Sequence, residues 1–389
     1  MNYSRNILFL YLIKSAKWFM LVMPIIVLFY NENGLKMKDI LVLQGIYSIS
    51  IVALEIPSGY MADLWGRKKT IVFGSIIGFV GYLIYCFSFN FWGFMLAEII
   101  LGIGQSFISG ADSALLFETL ANQNKQELYV KHEGRLAAFG NLAEAIAGIT
   151  GGLLATASLR FPFYAQTFVA FIAIPASIML TEPVTVKKIS NKYKYIFEII
   201  NYSLFTNNKL RWNIIFSSIV GCSTLTMAWF VQPFMKDINI PISWFGVIWT
   251  ILNLSVAVTS FYILSIKKIF GDKFLIISIA IILSLSYILA GFLNSFFGLF
   301  IIWIFYLFRG IATPLLKEYI NILSPSEMRA TILSIRNFLI RIIFAVTAPF
   351  FGYINDIYSL STTLILAGII FFVSMIISSL IILLLKAYK

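Results

Sequence analysis

The sequence predicts an all-α membrane protein with twelve transmembrane helices in two pseudo-symmetric six-helix bundles. Three observations predict this fold class. Apolar residues fill 60% of the 389 positions and charged residues only 12%, whereas soluble domains carry about 25% charged residues. Apolar segments of about 20 to 28 residues recur, each long enough to cross about 30 Å of hydrocarbon. An internal repeat relates the first half of the chain to the second.

The apolar segments form two sets of six. The first set is predicted near residues 6–31, 40–62, 70–90, 92–119, 134–158 and 161–181, and the second near 210–235, 242–266, 274–294, 296–323, 330–355 and 360–385. Residues 1–181 are therefore expected to form an N-terminal bundle and residues 210–389 a C-terminal bundle. The stretch 182–209 between them is rich in lysine and weakly apolar, so we expect a cytoplasmic linker. The first segment is too long for a signal-peptide core and is expected to be a retained span.

Lysines and arginines on alternate connections set the expected orientation. Most of them fall at the two termini and after helices 2, 4, 6, 8 and 10. The opposite side holds Lys36, Lys38, Arg160 and Lys236. The positive-inside rule then predicts a multi-pass protein of the cell (inner) membrane with both termini in the cytoplasm.

The internal repeat is clearest in predicted helices 4 and 10. The segment from Gly110 to Glu118 aligns without a gap on the segment from Gly310 to Glu318, 200 positions later, with four identities in nine. Short apolar matches arise by chance, but the same offset maps one set of six segments onto the other. The repeat therefore favours two related bundles.

A short basic connector joins predicted helices 2 and 3. Its sequence is Gly59-Tyr-Met-Ala-Asp63-Leu-Trp-Gly66-Arg67-Lys68-Lys69. Charges this dense cannot lie in hydrocarbon, so we expect a tight cytoplasmic loop. The order of its glycines, aspartate and basic residues resembles the signature loop of the major facilitator superfamily, with Leu64 at the first basic position as the departure.

The resemblance implies a major facilitator fold and a secondary transporter that works by alternating access. It also implies a cytoplasmic gate in which Arg67 bridges Asp63 to Glu118; the gate residues are Gly59, Asp63, Gly66, Arg67 and Glu118. Asp63 is further expected to accept hydrogen bonds from the start of helix 11, near 326–329. The counterpart loop, residues 267–273, is expected to keep only its glycine and basic charge. A solvated loop with a purely topological role is the alternative.

Ionisable residues inside the predicted spans argue for transport rather than for a passive anchor. They are Lys14, Lys17, Glu98, Asp112, Glu144, Arg309, Lys317, Arg336 and Arg341. Each costs about 2.5 to 3.5 kcal/mol near the centre of a membrane helix. We therefore expect them to face protein or a water-filled cavity.

The substrate cavity is expected to include two of these helices. Glu98, Gln105 and Asp112 recur every seven residues, which predicts one polar stripe along helix 4. Lys14 and Lys17 share a face of helix 1, where either can pair with Asp112 or extend to the interface. In the family, helices 1, 4, 7 and 10 line the cavity. The resemblance therefore gives the full expected set: Lys14, Lys17, Gln105, Asp112, Trp229, Gln232 and Arg309.

The candidates for proton coupling are Glu98, Asp112 and Glu144. Desolvation disfavours a charged carboxylate, so a buried carboxyl group can load and release a proton. Structural ion pairing is the alternative for each. Drug exporters of the family carry an arginine four residues before a Gly-x-Gly pair, where this chain has Glu98 before Gly102. Helix 5 keeps Gly148, Gly151 and Gly152 of the exporter motif without its proline, and close helix packing explains these glycines as well.

The resemblance favours proton-coupled efflux, by antiport, of a drug-like or amphipathic metabolite. Because the lysines and Arg309 outnumber Asp112, uptake or exchange of an organic anion or zwitterion is the alternative. A membrane sensor or scaffold without transport is the third. The sequence shows no nucleotide-binding loop, catalytic constellation, metal cluster or basic nucleic-acid face. We therefore expect a non-enzymatic protein without cofactor or nucleic-acid partner. The resemblance implies a monomer that contacts its substrate, protons and the lipid bilayer.

Overall fold

The computed structural model describes residues 4–183, 192–325 and 328–388. These residues form helices joined by short turns, and no strand occurs among them. The chain divides into two compact units, one of Met1–Lys188 with Pro241–Thr250 and one of Ile189–Ile240 with Ile251–Lys389. An all-helical architecture with two units is what long apolar segments require, since backbone polar groups in hydrocarbon must be satisfied within each helix.

Fifteen α-helices follow one another in the part of the chain that is described. The first eight are α1 (Ser4–Trp18), α2 (Ile26–Glu32), α3 (Met37–Trp65), α4 (Arg67–Phe87), α5 (Phe91–Ile108), α6 (Ala111–Ala121), α7 (Tyr129–Ala157) and α8 (Phe161–Ile178). The remaining seven are α9 (Lys192–Asn201), α10 (Asn208–Asp237), α11 (Ile242–Phe261), α12 (Ile263–Phe292), α13 (Phe296–Leu323), α14 (Arg329–Ile357) and α15 (Leu360–Leu384).

Eleven segments of the described residues are long and apolar enough to cross a membrane, with α5 and α6 counted together as Phe91–Ala121. The remaining span, expected as one helix over 6–31, is instead divided into α1 and α2 by residues 19–25. Pro24 lies in this break, where it lacks an amide donor and disfavours the helical conformation of Met23. The freed amide of Leu21 donates to the side chain of Gln166 at 2.8 Å. With this correction, the twelve predicted spans are present.

Glycines with positive φ produce three further breaks. Gly110 (φ +83°) separates α5 from α6, Gly66 (φ +95°) separates α3 from α4, and Gly271 (φ +74°) kinks α12. Glycine adopts this region at no steric cost because it has no Cβ. The predicted continuous helix over 92–119 is therefore wrong at Gly110. The connector between helices 2 and 3 shrinks to the single residue Gly66.

The helix ends support the internal repeat. Helix α7 spans Tyr129–Ala157 and α14 spans Arg329–Ile357, so both ends are 200 positions apart. The expected linker 182–209 falls partly on residues 184–191, which lie outside the described residues. Its later part forms α9, which buries Ile199 against Leu210 and Ile214 of α10.

Candidate functional site

A charged cluster in the N-terminal unit joins α1, α6 and α7. The ammonium of Lys14 lies 3.5 Å from Asp112 and 3.9 Å from Glu133. Asp112 lies in the first turn of α6 because Gly110 restarts the helix just before it. The Asp112 carboxylate also accepts the amide of Ser113 at 2.7 Å, and the Ser113 hydroxyl donates to Glu133. One cation is thus shared by two carboxylates.

Glu133 was missed by sequence reasoning. Helix 5 was expected to begin at residue 134, whereas α7 begins at Tyr129 and carries Glu133 in its second turn. The hydroxyl of Tyr129 donates to Glu133 at 3.4 Å. The i, i+4 spacing of Tyr129 and Glu133 was the available signal, since such residues are neighbours on one helix face.

The other residues of the expected cavity set are distributed between the two units. Lys17 and Gln105 are half-buried in α1 and α5 of the N-terminal unit. Trp229 and Gln232 are buried in α10 of the C-terminal unit. Arg309 of α13 is half-buried, with its guanidinium 5.2 Å from the ring of Tyr306. The structure therefore brings Lys14 and Asp112 together and places Trp229, Gln232 and Arg309 in the second unit.

Glu98 lies in a separate buried cluster. Its side chain is 4% exposed, and one carboxylate oxygen accepts hydrogen bonds from Tyr30 (2.8 Å), Tyr85 (2.5 Å) and Gln44. These donors come from α2, α4 and α3. The expectation of one polar stripe from Glu98 to Asp112 is wrong, because the break at Gly110 interrupts the helical period. The three donors were missed, since residues so far apart carry no shared local pattern.

Arg160 fixes the end of α4 beside the Glu98 cluster. Its guanidinium donates to the carbonyls of Cys86 and Ser88, each at 3.0 Å, and to the Asn33 side chain at 2.7 Å. The same group lies 4.0 Å from the centre of the Phe89 ring. Because a guanidinium neutralises the carbonyl end of a helix dipole, Arg160 holds α4 so that Tyr85 can reach Glu98.

Glu144 is half-buried in α7, next to a row of closely packed glycines. A Cβ added to Gly148 would come within 2.6 Å of the Thr250 hydroxyl, and one added to Gly152 within 2.9 Å of Gly246. Thr250 donates to the carbonyl of Ala145 at 3.0 Å. The small residues of α7 therefore serve close packing against the start of α11.

The expected gate residues converge on Arg67. Its guanidinium lies 2.7 Å from Asp63 and 3.2 Å from Glu118. Gly66 supplies the left-handed backbone that separates α3 from α4, whereas a Cβ at Gly59 would meet nothing within 4 Å. We call Asp63, Arg67 and Glu118 the first ion triad. The expected contact of Asp63 with residues 326–329 at the start of helix 11 falls partly on 326 and 327, which lie outside the described residues, and it stays a prediction.

Glu182 completes the surroundings of this triad and was not foreseen. Its carboxylate accepts the amides of Arg67 at 2.6 Å and Lys68 at 2.7 Å, the first residues of α4. A Cβ at Gly66 would lie 2.7 Å from this carboxylate. An anion at a helix N-terminus satisfies free amides and favours the helix dipole. The chain segment that leaves α8 is thereby attached to the N-terminus of α4 beside the first ion triad.

The counterpart loop keeps more than was expected. Lys267 lies 3.2 Å from Asp272 and 3.0 Å from Glu318, and Tyr319 donates to Asp272 at 2.7 Å. Lys267 and Glu318 stand 200 positions after Arg67 and Glu118. The expectation that only a glycine and basic charge remain is therefore wrong.

We call Lys267, Asp272 and Glu318 the second ion triad. Its cation and its loop acid lie on opposite sides of the loop glycine from those of the first triad. In the first loop Asp63 precedes Gly66 and Arg67 follows it, whereas in the second Lys267 precedes Gly271 and Asp272 follows it. Because the order of acid and cation around the glycine is reversed, reading the two loops residue by residue did not reveal the similar ion pairing. The 200-residue offset relates Lys267 and Glu318 to Arg67 and Glu118, although the loop glycines Gly66 and Gly271 are 205 positions apart.

Comparisons with known proteins agree with this architecture. The sequence model of the Major Facilitator Superfamily matches residues 7–342 of this chain. An uncharacterized MFS-type transporter of Methanocaldococcus jannaschii is 24% identical over 276 residues, 69% of each chain. Quinolone resistance protein NorA of Staphylococcus aureus is 26% identical over 160 residues, 41% of this chain and 40% of NorA. The crystal structure of the nucleoside transporter NupG superposes with a TM-score of 0.78 over 100% of both chains at 14% identity, which shows the fold alone.

Proposed function

The chain belongs to the Major Facilitator Superfamily, and on this premise we propose that it moves a small molecule across the cell membrane by alternating access, coupled to protons. Residues 1–181 and 210–389 act as the two bundles, joined by the linker 182–209 with both termini in the cytoplasm. The observation that carries the proposal is the sharing of Lys14 between Asp112 and Glu133.

The Lys14 cluster has the charge balance that a proton site needs. Two carboxylates, Asp112 and Glu133, compete for the single ammonium of Lys14 within a membrane-spanning unit. Like charges that lie close together repel, so such an arrangement is a place where uptake of a proton can change the packing. Protonation also weakens the attraction between Lys14 and its partners. The cluster thereby links proton loading to the packing of α1, α6 and α7.

Efflux of a drug-like or amphipathic compound is the direction and substrate class that we favour. The similarity to NorA, a quinolone resistance protein, supports this choice. The two ion triads supply the switching element, because each joins a helix break at a glycine to the end of a neighbouring helix. Bistable charged contacts of this kind can exchange between two conformations when a ligand or proton favours one of them.

The Asp112→Asn variant tests the proposal in proteoliposomes. A pH gradient should drive accumulation of ethidium by the unaltered protein, and the variant should lose this accumulation while retaining gradient-independent exchange. Glu127→Gln, which neutralises an exposed carboxylate of the same unit, is the matched control. Undiminished proton-driven accumulation in Asp112→Asn would remove Asp112 from the coupling step.

Exchange or uptake of an organic anion is the second candidate function. It is favoured by the cations in the spans of the C-terminal unit, Arg309, Lys317, Arg336 and Arg341, of which Arg336 is deeply buried. The same vesicles, loaded with radiolabelled benzoate, distinguish this function from ethidium efflux. Exchange of benzoate without ethidium transport would favour the second candidate.

A further inference from the structure

Arg336 is a buried cation whose hydrogen-bond partners are neutral. It lies in α14 and is 6% exposed. Its Nε donates to the hydroxyl of Ser217, and its Nη1 lies 3.0 Å from the side-chain oxygen of Asn337. Among the described residues, no carboxylate forms an ion pair with Arg336. By contrast, Lys14, Arg67 and Lys267 each contact two carboxylates.

The guanidinium of Arg336 keeps unused hydrogen-bonding capacity. Arginine has five N–H donors in a planar fork, and Ser217 and Asn337 take one each. The Nη2 group has no acceptor in the described part of the chain. Nη2 is not one of the fully buried, unbonded polar atoms of the described residues, so it retains some accessible surface. A ligand oxygen that reached Nη2 would complete the hydrogen bonding of the guanidinium.

Lys317 brings a second positive charge to the same place. It lies on α13, which packs against α14, and its side chain is exposed. Lys317 precedes the end of α13 at Leu323 by about 9 Å, and Arg336 follows the start of α14 by about 10 Å. The two side chains thus belong to the same level of the unit. Two like charges in such a position are unfavourable unless an anion joins them.

The internal repeat shows that the fold does not require these charges. The 200-residue offset relates Arg336 to Leu136 and Lys317 to Phe117. Leu136 is 4% exposed and packs in an apolar cluster with Leu115 and Leu116. One unit therefore fills this place with leucine, whereas the other fills it with arginine. A buried charge costs more than an apolar side chain here, so its presence points to a role in binding.

We propose that Arg336 and Lys317 form an anion-binding site in the C-terminal unit, which takes the carboxylate or phosphate group of the transported molecule. Ser217 and Asn337 hold the guanidinium so that its Nη2 edge faces the ligand. A planar guanidinium binds such oxyanions through two parallel hydrogen bonds, and the ammonium of Lys317 adds a point charge. The inference rests on the proposed transport function and supports its second candidate substrate, an organic anion or zwitterion.

Thermal unfolding of the purified full chain in non-ionic detergent tests the site. The probes are benzoate, inorganic phosphate, phosphatidylglycerol and tetraphenylphosphonium. We expect benzoate to raise the unfolding temperature and tetraphenylphosphonium to leave it unchanged. Arg336→Leu, which installs the residue of the related position, should abolish the benzoate response and raise the unfolding temperature of the ligand-free protein, because an unpaired buried charge is removed. Lys317→Met should weaken benzoate binding about tenfold.

Arg211→Leu is the control, since it removes a cation that stacks on Trp212 near the start of α10. It should leave the benzoate response intact. A response that survives in both Arg336→Leu and Lys317→Met overturns the assignment. The assignment is also overturned if anions do not stabilise the unaltered protein and ligand-free Arg336→Leu unfolds at a lower temperature. Arg336 then has a structural role. Stabilisation by phosphatidylglycerol alone assigns the site to a lipid headgroup and overturns the substrate assignment.

The test separates this inference from the transport function. Binding of benzoate that depends on Arg336, together with no transport in vesicles, would leave the anion site standing and refute transport. Proton-driven ethidium accumulation that depends on Asp112, together with no anion response, would refute only the anion site.

Discussion

Removal of the Arg67 side chain tests whether the first ion triad controls the cytoplasmic gate. The Arg67→Ala variant loses contacts of 2.7 Å to Asp63 and 3.2 Å to Glu118. The three side chains are 18 to 28% exposed, so solvent screens part of each interaction. Hydrogen bonds to charged groups contribute about 1.5 to 3 kcal/mol when well shielded, and we take about 1 to 1.5 kcal/mol for each at this exposure. The total is about 2 to 3 kcal/mol.

This free energy sets the expected change in conformational populations. The triad is proposed to be intact when the cytoplasmic side is closed and broken when it opens. Its loss should then shift the ratio of open to closed molecules roughly 30- to 150-fold toward the open state. Glu118→Gln removes one of the two contacts and should produce about half of this free energy. In a double-mutant cycle the two substitutions should not add, because both remove the same pair.

Double electron–electron resonance between two spin labels can measure the populations of the open and closed states. Lys125→Cys and Ile322→Cys provide exposed attachment points near the ends of α6 and α13. Serine at Cys86 and Cys222 removes the native thiols, both of which are buried. Distance distributions that stay unchanged in Arg67→Ala and in Asp63→Asn would refute the gate. A shift in Arg67→Ala with full additivity to Glu118→Gln would refute the pairing on which the magnitude rests.

Two further predictions concern packing and the Glu98 cluster. Gly151→Ala should prevent normal folding, because an added Cβ overlaps the carbonyl of Leu21. A Cβ at Gly59 meets open space, so Gly59→Ala should leave the unfolding temperature unchanged. Equal unfolding temperatures for the two variants would contradict this packing. Glu98→Ala should destabilise the protein by about 3 kcal/mol, since buried donors on Tyr30, Tyr85 and Gln44 lose their acceptor. Glu98→Gln keeps an acceptor oxygen and should lose less, so thermal unfolding of the two variants in the same detergent decides whether these hydrogen bonds stabilise the unit.

The break positions show what a local pattern can and cannot predict. Hydropathy predicted where the chain crosses the membrane, because the thickness of hydrocarbon fixes the length of an apolar helix. It predicted one helix over 6–31 and one over 92–119, since a break of a few residues hardly lowers the mean hydropathy of a segment. Pro24 and Gly110 were signals of these breaks. Their effect depends on partners such as Gln166, which accepts the freed amide of Leu21.

The charged residues divide in the same way. The amino-acid sequence was sufficient to predict twelve spans in two related halves, a short polar loop at Gly66 and Arg67, and lysines, arginines and acids within the spans. The partners of these charges became known from the folded structure. Lys14 contacts Glu133 as well as Asp112, Glu182 caps α4, and the partners of Arg336 among the described residues are neutral. The physical reason is range. Burial in hydrocarbon depends on each segment alone, whereas the partner of a buried charge comes from another helix, often more than 100 residues away in the chain.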